Sequence, residues 1–151
     1  MKKILLTKGK FTIVDNEDWI KLREWRWYCS TTGYAVTNYK DKKLYMHRII
    51  TNAPKGKEVD HKNFDKLDNR KANLRICTKA ENRMNKQKEW DNSSGYLGVC
   101  WSKARGKWLA YTRFNNRFVH IGYFSAKEQA AKAYNQKTIE LHGKFANPNI
   151  L

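Results

Sequence analysis

The sequence is poor in the features that would send it outside the cell or into a membrane. It has three cysteines, Cys29, Cys77 and Cys100, an odd number set far apart with no C-x-x-C pair. That argues against a cysteine-based zinc site and for a reduced, intracellular protein. No apolar run approaches the roughly 20 residues of a spanning helix. The apolar stretch after Met1-Lys2-Lys3 is too short for a signal peptide. Acid is scarce: 14 Asp and Glu stand against 31 Lys and Arg, a net charge of +17 with a pI near 9.9. Such a field implies an anionic partner, with nucleic acid ahead of a membrane surface.

What is present fits one domain or two small ones in 151 residues. Hydrophobic residues make up 40% and aromatics 13%, enough for compact cores. Residues 92–151 carry nine Lys and Arg and two Asp and Glu, a net of +7, which leaves +10 for the rest. Both halves are therefore expected along the same nucleic acid.

Taken in order, Ile4-Leu5-Leu6 and Phe11-Thr12-Ile13-Val14 around Gly9 predict a hairpin. Asp15 to Asp18 puts acid at the start of a short helix with Trp19 and Leu22 on one face. Trp27-Tyr28-Cys29, Tyr34-Ala35-Val36 and Leu44-Tyr45-Met46 predict further strands. Residues 1–46 thus read as a small sheet supporting a site, their aromatics core rather than base-stacking platforms.

The chemistry concentrates after it. Asp60 and His61 are adjacent, so in a strand they face opposite ways and can serve different objects. Asp68-Asn69-Arg70, Asn73-Leu74-Arg75 and Glu81-Asn82 follow in order, and Thr78-x-x-Glu81 is a capping box that starts a helix running to about Trp90. A strand pair carrying Asp-His, a polar loop and a helix carrying Asn resembles the HNH nuclease motif, in the subtype of phage and intron-encoded homing endonucleases whose last His is Asn. The segment Met46-His47-Arg48-Ile49-Ile50 is similar to the strand that leads into this unit.

The resemblance implies a ββα-metal core at about 44–90 within a nuclease domain of residues 1–91. It implies that Asp60 and Asn82 hold one Mg²⁺ or Mn²⁺ ion, that His61 is the general base, and that Asn73 braces the loop and helps orient His61, with Asn69 placed for similar bracing. Arg48 and Arg83 are expected at phosphates. His47 either contacts phosphate or packs structurally.

Asp91-Asn92-Ser93-Ser94-Gly95 reads as a linker. Beyond it, three strand patterns are joined by turns, the second turn being Asn115-Asn116. A helix opened by Ser125-x-x-Glu128 carries Ala130, Ala131, Tyr134, Thr138 and Leu141 near one face, and Gly143 ends it. The pieces Y-x-G-V, G-K-W-x-A, I-G-x-F, E-x-A-A-x-A-Y and G-x-x-A-N together resemble the ERF/Apetala-type DNA-binding domain, over residues 92–151.

The resemblance implies that the sheet enters the major groove. Alternation turns Trp108, Ala110 and Thr112 inward and Leu109, Tyr111 and Arg113 outward. Arg113 matches a family contact position. Leu97, Cys100, Tyr111, Phe118 and His120 stand where plant members carry Arg, Glu or Trp, so a different base-reading set is expected. Lys103, Arg105, Lys107 and Arg117 are expected at phosphates.

The fold class expected is α+β: a small N-terminal sheet leading into the ββα-metal unit, then a three-stranded antiparallel sheet packed on one helix. The activity expected is metal-dependent hydrolysis of double-stranded DNA, with nicking as the default for one site per chain. A monomer without an obligatory protein partner is the simplest state. The rivals are a non-catalytic DNA-binding regulator with a degenerate nuclease unit, and an RNA-binding protein.

Overall fold

The computed structural model describes residues 1–84 and 93–151. The chain divides into two compact units, Met1–Lys79 and Ala80–Leu151. Its architecture is α+β, built from small antiparallel sheets and short helices.

In the first unit β1 (Lys2–Leu5) and β2 (Phe11–Val14) form the expected hairpin. A tight turn at Thr7–Gly9 closes it, with Lys8 and Gly9 at φ 61° and 67°. Helix α1 (Asn16–Leu22) follows, with Glu17 and Asp18 in its first turn. There they complement the helix dipole. Strands β3 (Tyr28–Cys29), β4 (Ala35–Tyr39) and β5 (Lys42–Tyr45) form a separate sheet, with β4 in the middle.

The support is therefore two sheets, not the one small sheet expected. Helix α1 carries the chain away after β2. The outer side of β2 pairs with a loop instead: Ile13 N–H donates to Leu67 O at 2.9 Å and Asn69 N–H to Ile13 O at 2.8 Å. Ile4, Leu6, Val14, Leu22, Trp27, Ala35 and Met46 make the core beneath.

The segment expected as a strand at Met46–Ile50 is a helix, α2 (Met46–Thr51). Its β-branched pair favours a strand, but packing overrides that. Met46, Ile49 and Ile50, spaced i, i+3, i+4, all meet the core. Asn52, in the left-handed region at φ 49°, closes the helix by donating to Arg48 O and Ile49 O.

Next come β6 (Glu58–His61) and β7 (Leu74–Cys77), antiparallel, with Asp60 opposite Arg75 and His61 opposite Leu74. Helix α3 (Lys79–Met84) begins directly after Thr78. The expected continuation to Trp90 and the start of the linker at Asp91-Asn92 lie outside the described residues.

The second unit holds β8 (Val99–Ser102), β9 (Lys107–Phe114) and β10 (Arg117–Phe124), an antiparallel sheet with β9 central. Asn115 and Asn116, at φ 50° and 61°, make the two-residue turn. Helix α4 (Lys127–His142) packs Ala130 and Ala131 against Val99 and Ala110. The Ser125 capping box does not form. Ala126 is the N-cap and supplies no side-chain bond, because the chain needs both residues after β10 to turn, and the alanine face does the anchoring.

Ile121 and Phe124 both reach the core although their spacing breaks strict alternation. A register shift between His120 and Gly122 absorbs the extra residue. Gly98, at φ +65°, lets the backbone meet the Tyr134 ring, where an added Cβ would lie 2.2 Å from ring carbons. Asn149 grips Leu97 on both sides, accepting its N–H at 2.7 Å and donating to its carbonyl at 3.1 Å.

Candidate active site

The β6–β7 hairpin sets two buried polar side chains side by side on β6, Asp60 and His61. They diverge as strand neighbours do. Oδ2 of Asp60 accepts both Nε and an NH2 of Arg75, at 2.7 and 2.6 Å. The register that places Arg75 opposite Asp60 creates this cross-strand charge pair.

His61 instead faces Asn69, with Nε2 at 3.3 Å from Oδ1. Asn69 is fully buried. Its amide donates to Thr12 Oγ1 at 2.7 Å, and the Thr12 hydroxyl donates to Leu67 O at 2.6 Å. This chain fixes a direction. A hydroxyl has one proton, and Thr12 gives its proton to Leu67 O, so Thr12 must accept from Asn69. The NH2 end of Asn69 thus faces Thr12 and its carbonyl faces His61. His61 therefore carries its proton on Nε2, and Nδ1 is the basic nitrogen.

Asn73 has another task. Its Nδ2 donates to Asp68 O at 2.8 Å and its Oδ1 accepts Asn63 N–H at 3.0 Å. These bonds tie the loop together, while the side chain that faces the imidazole is Asn69. The loop is bonded throughout. Asp68 takes both Arg70 and Asn63, and the Arg70 guanidinium holds its carboxyl below the usual range. The loop lysines are likewise engaged: Lys62 on Ala72 O, Lys66 on Thr32 O and Lys71 on Glu17.

An aromatic wall completes the His61 side. His47 is buried and stands edge-on to His61, centroids 5.3 Å apart at 86°, and Tyr34 and Tyr45 pack on His47 at 5.0 and 5.5 Å. Tyr34 also lies 5.9 Å from His61. Burial pushes His47 down to about 3, with smaller electrostatic contributions from His61 and from Arg48. Burial also lowers His61, against the opposing pull of Asn69 and of Asp60, Asp65 and Asp68. Both imidazoles are neutral near neutral pH.

The sequence reading missed Thr12, which has no local signal, and assigned Tyr34 to core alone. Arg75 was legible only as part of the N-L-R run.

The remaining expected residues fall as follows. Arg48 spends its guanidinium on the carbonyls of Lys57, Ala53 and Pro54, so it clasps the loop after α2. A contact with phosphate, as expected of Arg48, would draw on the two N–H donors that these three carbonyl bonds leave. Asn82 is half-buried on α3, and Arg83 is exposed there. In the second unit Lys103, Arg105, Lys107, Arg113, Arg117 and His120 are exposed and Tyr111 is half-buried.

Among the described residues, no three or more His, Cys, Asp or Glu side chains are grouped to hold a metal. None of the helices there is long and apolar enough to cross a membrane.

A family model described as HNH endonuclease matches residues 45–84. An uncharacterized HNH endonuclease of Acanthamoeba polyphaga mimivirus is 33% identical over 148 residues, covering 94% of this chain and 76% of its own. Protein 3.8 of Escherichia phage T7 is 32% identical over 93 residues, 62% of this chain and 76% of its own. No solved structure matches significantly. With a relative aligned along nearly all of its length and the family model lying over the Asp60-His61 hairpin, the chain belongs to the HNH endonucleases.

Proposed function

We propose that this endonuclease is metal-dependent and of the homing type, and that it nicks one strand of double-stranded DNA per encounter. The observation that carries the reading is the buried, neutral His61, its Nε2–H anchored on Asn69, beside the buried carboxylate of Asp60. A neutral imidazole with a fixed tautomer is the form a general base needs. Here Nδ1 of His61 takes the proton of the attacking water, while Asn69 and the His47 ring hold the imidazole in place.

Asp60 and Asn82 would hold the divalent cation, with water and a phosphate oxygen completing its shell. Their hard oxygens suit Mg²⁺ or Mn²⁺ better than Zn²⁺. When bound, the cation neutralises charge on the phosphate and on the leaving 3′ oxygen. Arg75 fixes the Asp60 carboxylate from one side. The products carry 5′-phosphate and 3′-hydroxyl ends.

Residues 1–91 form the nuclease domain on this reading, and residues 92–151 an ERF/Apetala-type DNA-binding domain. The strand order, the alanine face of α4 and the exposed cations of the second unit support that assignment. Arg113 and His120 on the outward face contact bases beside Tyr111, and Lys103, Arg105, Lys107 and Arg117 contact phosphates.

The test is supercoiled plasmid incubated with the full chain and Mg²⁺, Mn²⁺ or chelator. Open circles formed with either cation and not with chelator are the expected result. Full activity in chelator refutes the metal mechanism.

A further inference from the structure

The outward face of the second sheet is unusual for a surface in so basic a chain. Register assigns it residue by residue. Cys100 pairs with Leu109, Tyr123 with Leu109, His120 with Tyr111 and Phe118 with Arg113, and cross-strand partners share a face. The face therefore presents Leu109, Tyr111, Phe118 and Tyr123, with Arg113 and His120 as its polar members. Phe118 is 55% exposed.

Around it the exposed cations Lys103, Arg105, Lys107 and Arg117 form a rim, and no Asp or Glu occurs between Ser93 and Lys127. A cationic rim without acid complements a polyanion. The apolar centre then has to match something apolar on that polyanion.

Two nucleic-acid features could fill that role: the flat faces of unpaired bases, or the C5-methyl groups of thymine in the major groove. The ring geometry favours the second. Tyr111 and Phe118 stack on each other, centroids 5.2 Å apart at 21°, so each spends a face on the other. Tyr123 is engaged by His120 at 4.9 Å and by the Arg105 guanidinium at 4.7 Å. Rings already stacked among themselves make a poor platform for bases but a good apolar floor for methyl groups.

We propose that this face reads thymine methyls in duplex DNA, so that the chain prefers thymine-rich major grooves. The proposal rests on the reading of the second unit as a duplex-binding module and adds what that module recognises.

The experiment uses the full chain in chelator, so that no strand is cut, and measures binding to poly(dA-dT), poly(dA-dU), poly(dG-dC), poly(dG-dC) carrying 5-methylcytosine, and oligo(dT). Uracil removes the methyl and leaves every hydrogen-bonding group of the pair; 5-methylcytosine adds a methyl at the equivalent groove position. Poly(dA-dT) should bind about fourfold more tightly than poly(dA-dU) for each methyl buried, the value of one CH₂ removed from water, and 5-methylcytosine should raise affinity for the G·C polymer. Phe118→Ser, at an exposed position, should bring the thymine-to-uracil ratio toward one.

Equal binding of the thymine and uracil polymers overturns the inference and leaves the duplex-binding module standing. A thymine preference that survives both Phe118→Ser and Leu109→Ser also overturns it, because the methyls are then read elsewhere. Tighter binding of oligo(dT) than of any duplex overturns it in favour of a stacking platform. Loss of all salt-dependent duplex binding refutes the module itself.

Discussion

Thr12 lies in the N-terminal hairpin, far in sequence from every motif residue, yet its hydroxyl is bonded to the Asn69 amide that faces the His61 imidazole. Thr12→Val keeps the shape and removes the hydroxyl. Leu67 O loses one donor but keeps Ile13 N–H at 2.9 Å, so little is lost there. Asn69 Nδ2, fully buried, loses the acceptor it held at 2.7 Å. One buried, unsatisfied donor costs about 1–3 kcal/mol.

The larger effect is on orientation. With nothing to distinguish its two ends, the Asn69 amide can turn its NH2 toward His61 Nε2, and the proton is no longer pinned there. Groups that hold a reactive side chain from behind contribute about 10–100-fold. Thr12→Val acts one bond further out, so about a tenfold fall in nicking rate is expected at saturating DNA and cation. Thr12→Ser should restore most of the rate, and Asn69→Ala should lose more. Supercoiled-plasmid nicking gives the rate and urea unfolding the stability. A Thr12→Val protein that loses stability but nicks at the wild-type rate would refute the relay.

His61→Ala should still bind DNA but lose about 10²–10⁴-fold in the chemical step, and added metal should not restore it; a variant that cuts like wild type in the plasmid assay removes His61 from the chemistry. Burial holds His47 at about 3 when folded, against about 6.5 when unfolded. The unfolded chain therefore binds the extra proton between those values, so stability is full above about 6.5 and falls as pH drops toward 3, by up to about 1.4 kcal/mol per pH unit. Urea unfolding of wild type and His47→Phe from pH 7 to pH 4 checks this, with a shallower slope expected for the variant. Gly98→Ala places a Cβ against the Tyr134 ring at a left-handed position, and should destabilise the second unit by about 2–4 kcal/mol from backbone strain and overpacking together, read as an earlier unfolding transition. Arg113→Ala should flatten preference among duplex sequences, whereas Lys103→Ala should weaken all of them alike and reduce the salt dependence, both read by titration of labelled duplexes.

The sequence by itself determined the local elements whose signals are local. Alternation set the strands, Asn115-Asn116 set its turn, and Thr78 marked the start of α3. It placed Asp60 and His61 on one strand, with neighbouring side chains diverging, because adjacency in a strand needs no tertiary information. Only the tertiary structure decided the rest. Residues 46–51 became a helix because Met46, Ile49 and Ile50 meet the core together. Ser125 lost its cap to a turn that needed the residue.

Asn69, which the sequence offered for bracing beside Asn73, meets the imidazole because β2 docks on the loop and brings the Thr12 hydroxyl within 2.7 Å of the Asn69 amide. No pattern in the chain could announce that contact. It joins residues 57 apart, and each of them, a threonine in a strand and an asparagine in a loop, already has an ordinary local reason to be there.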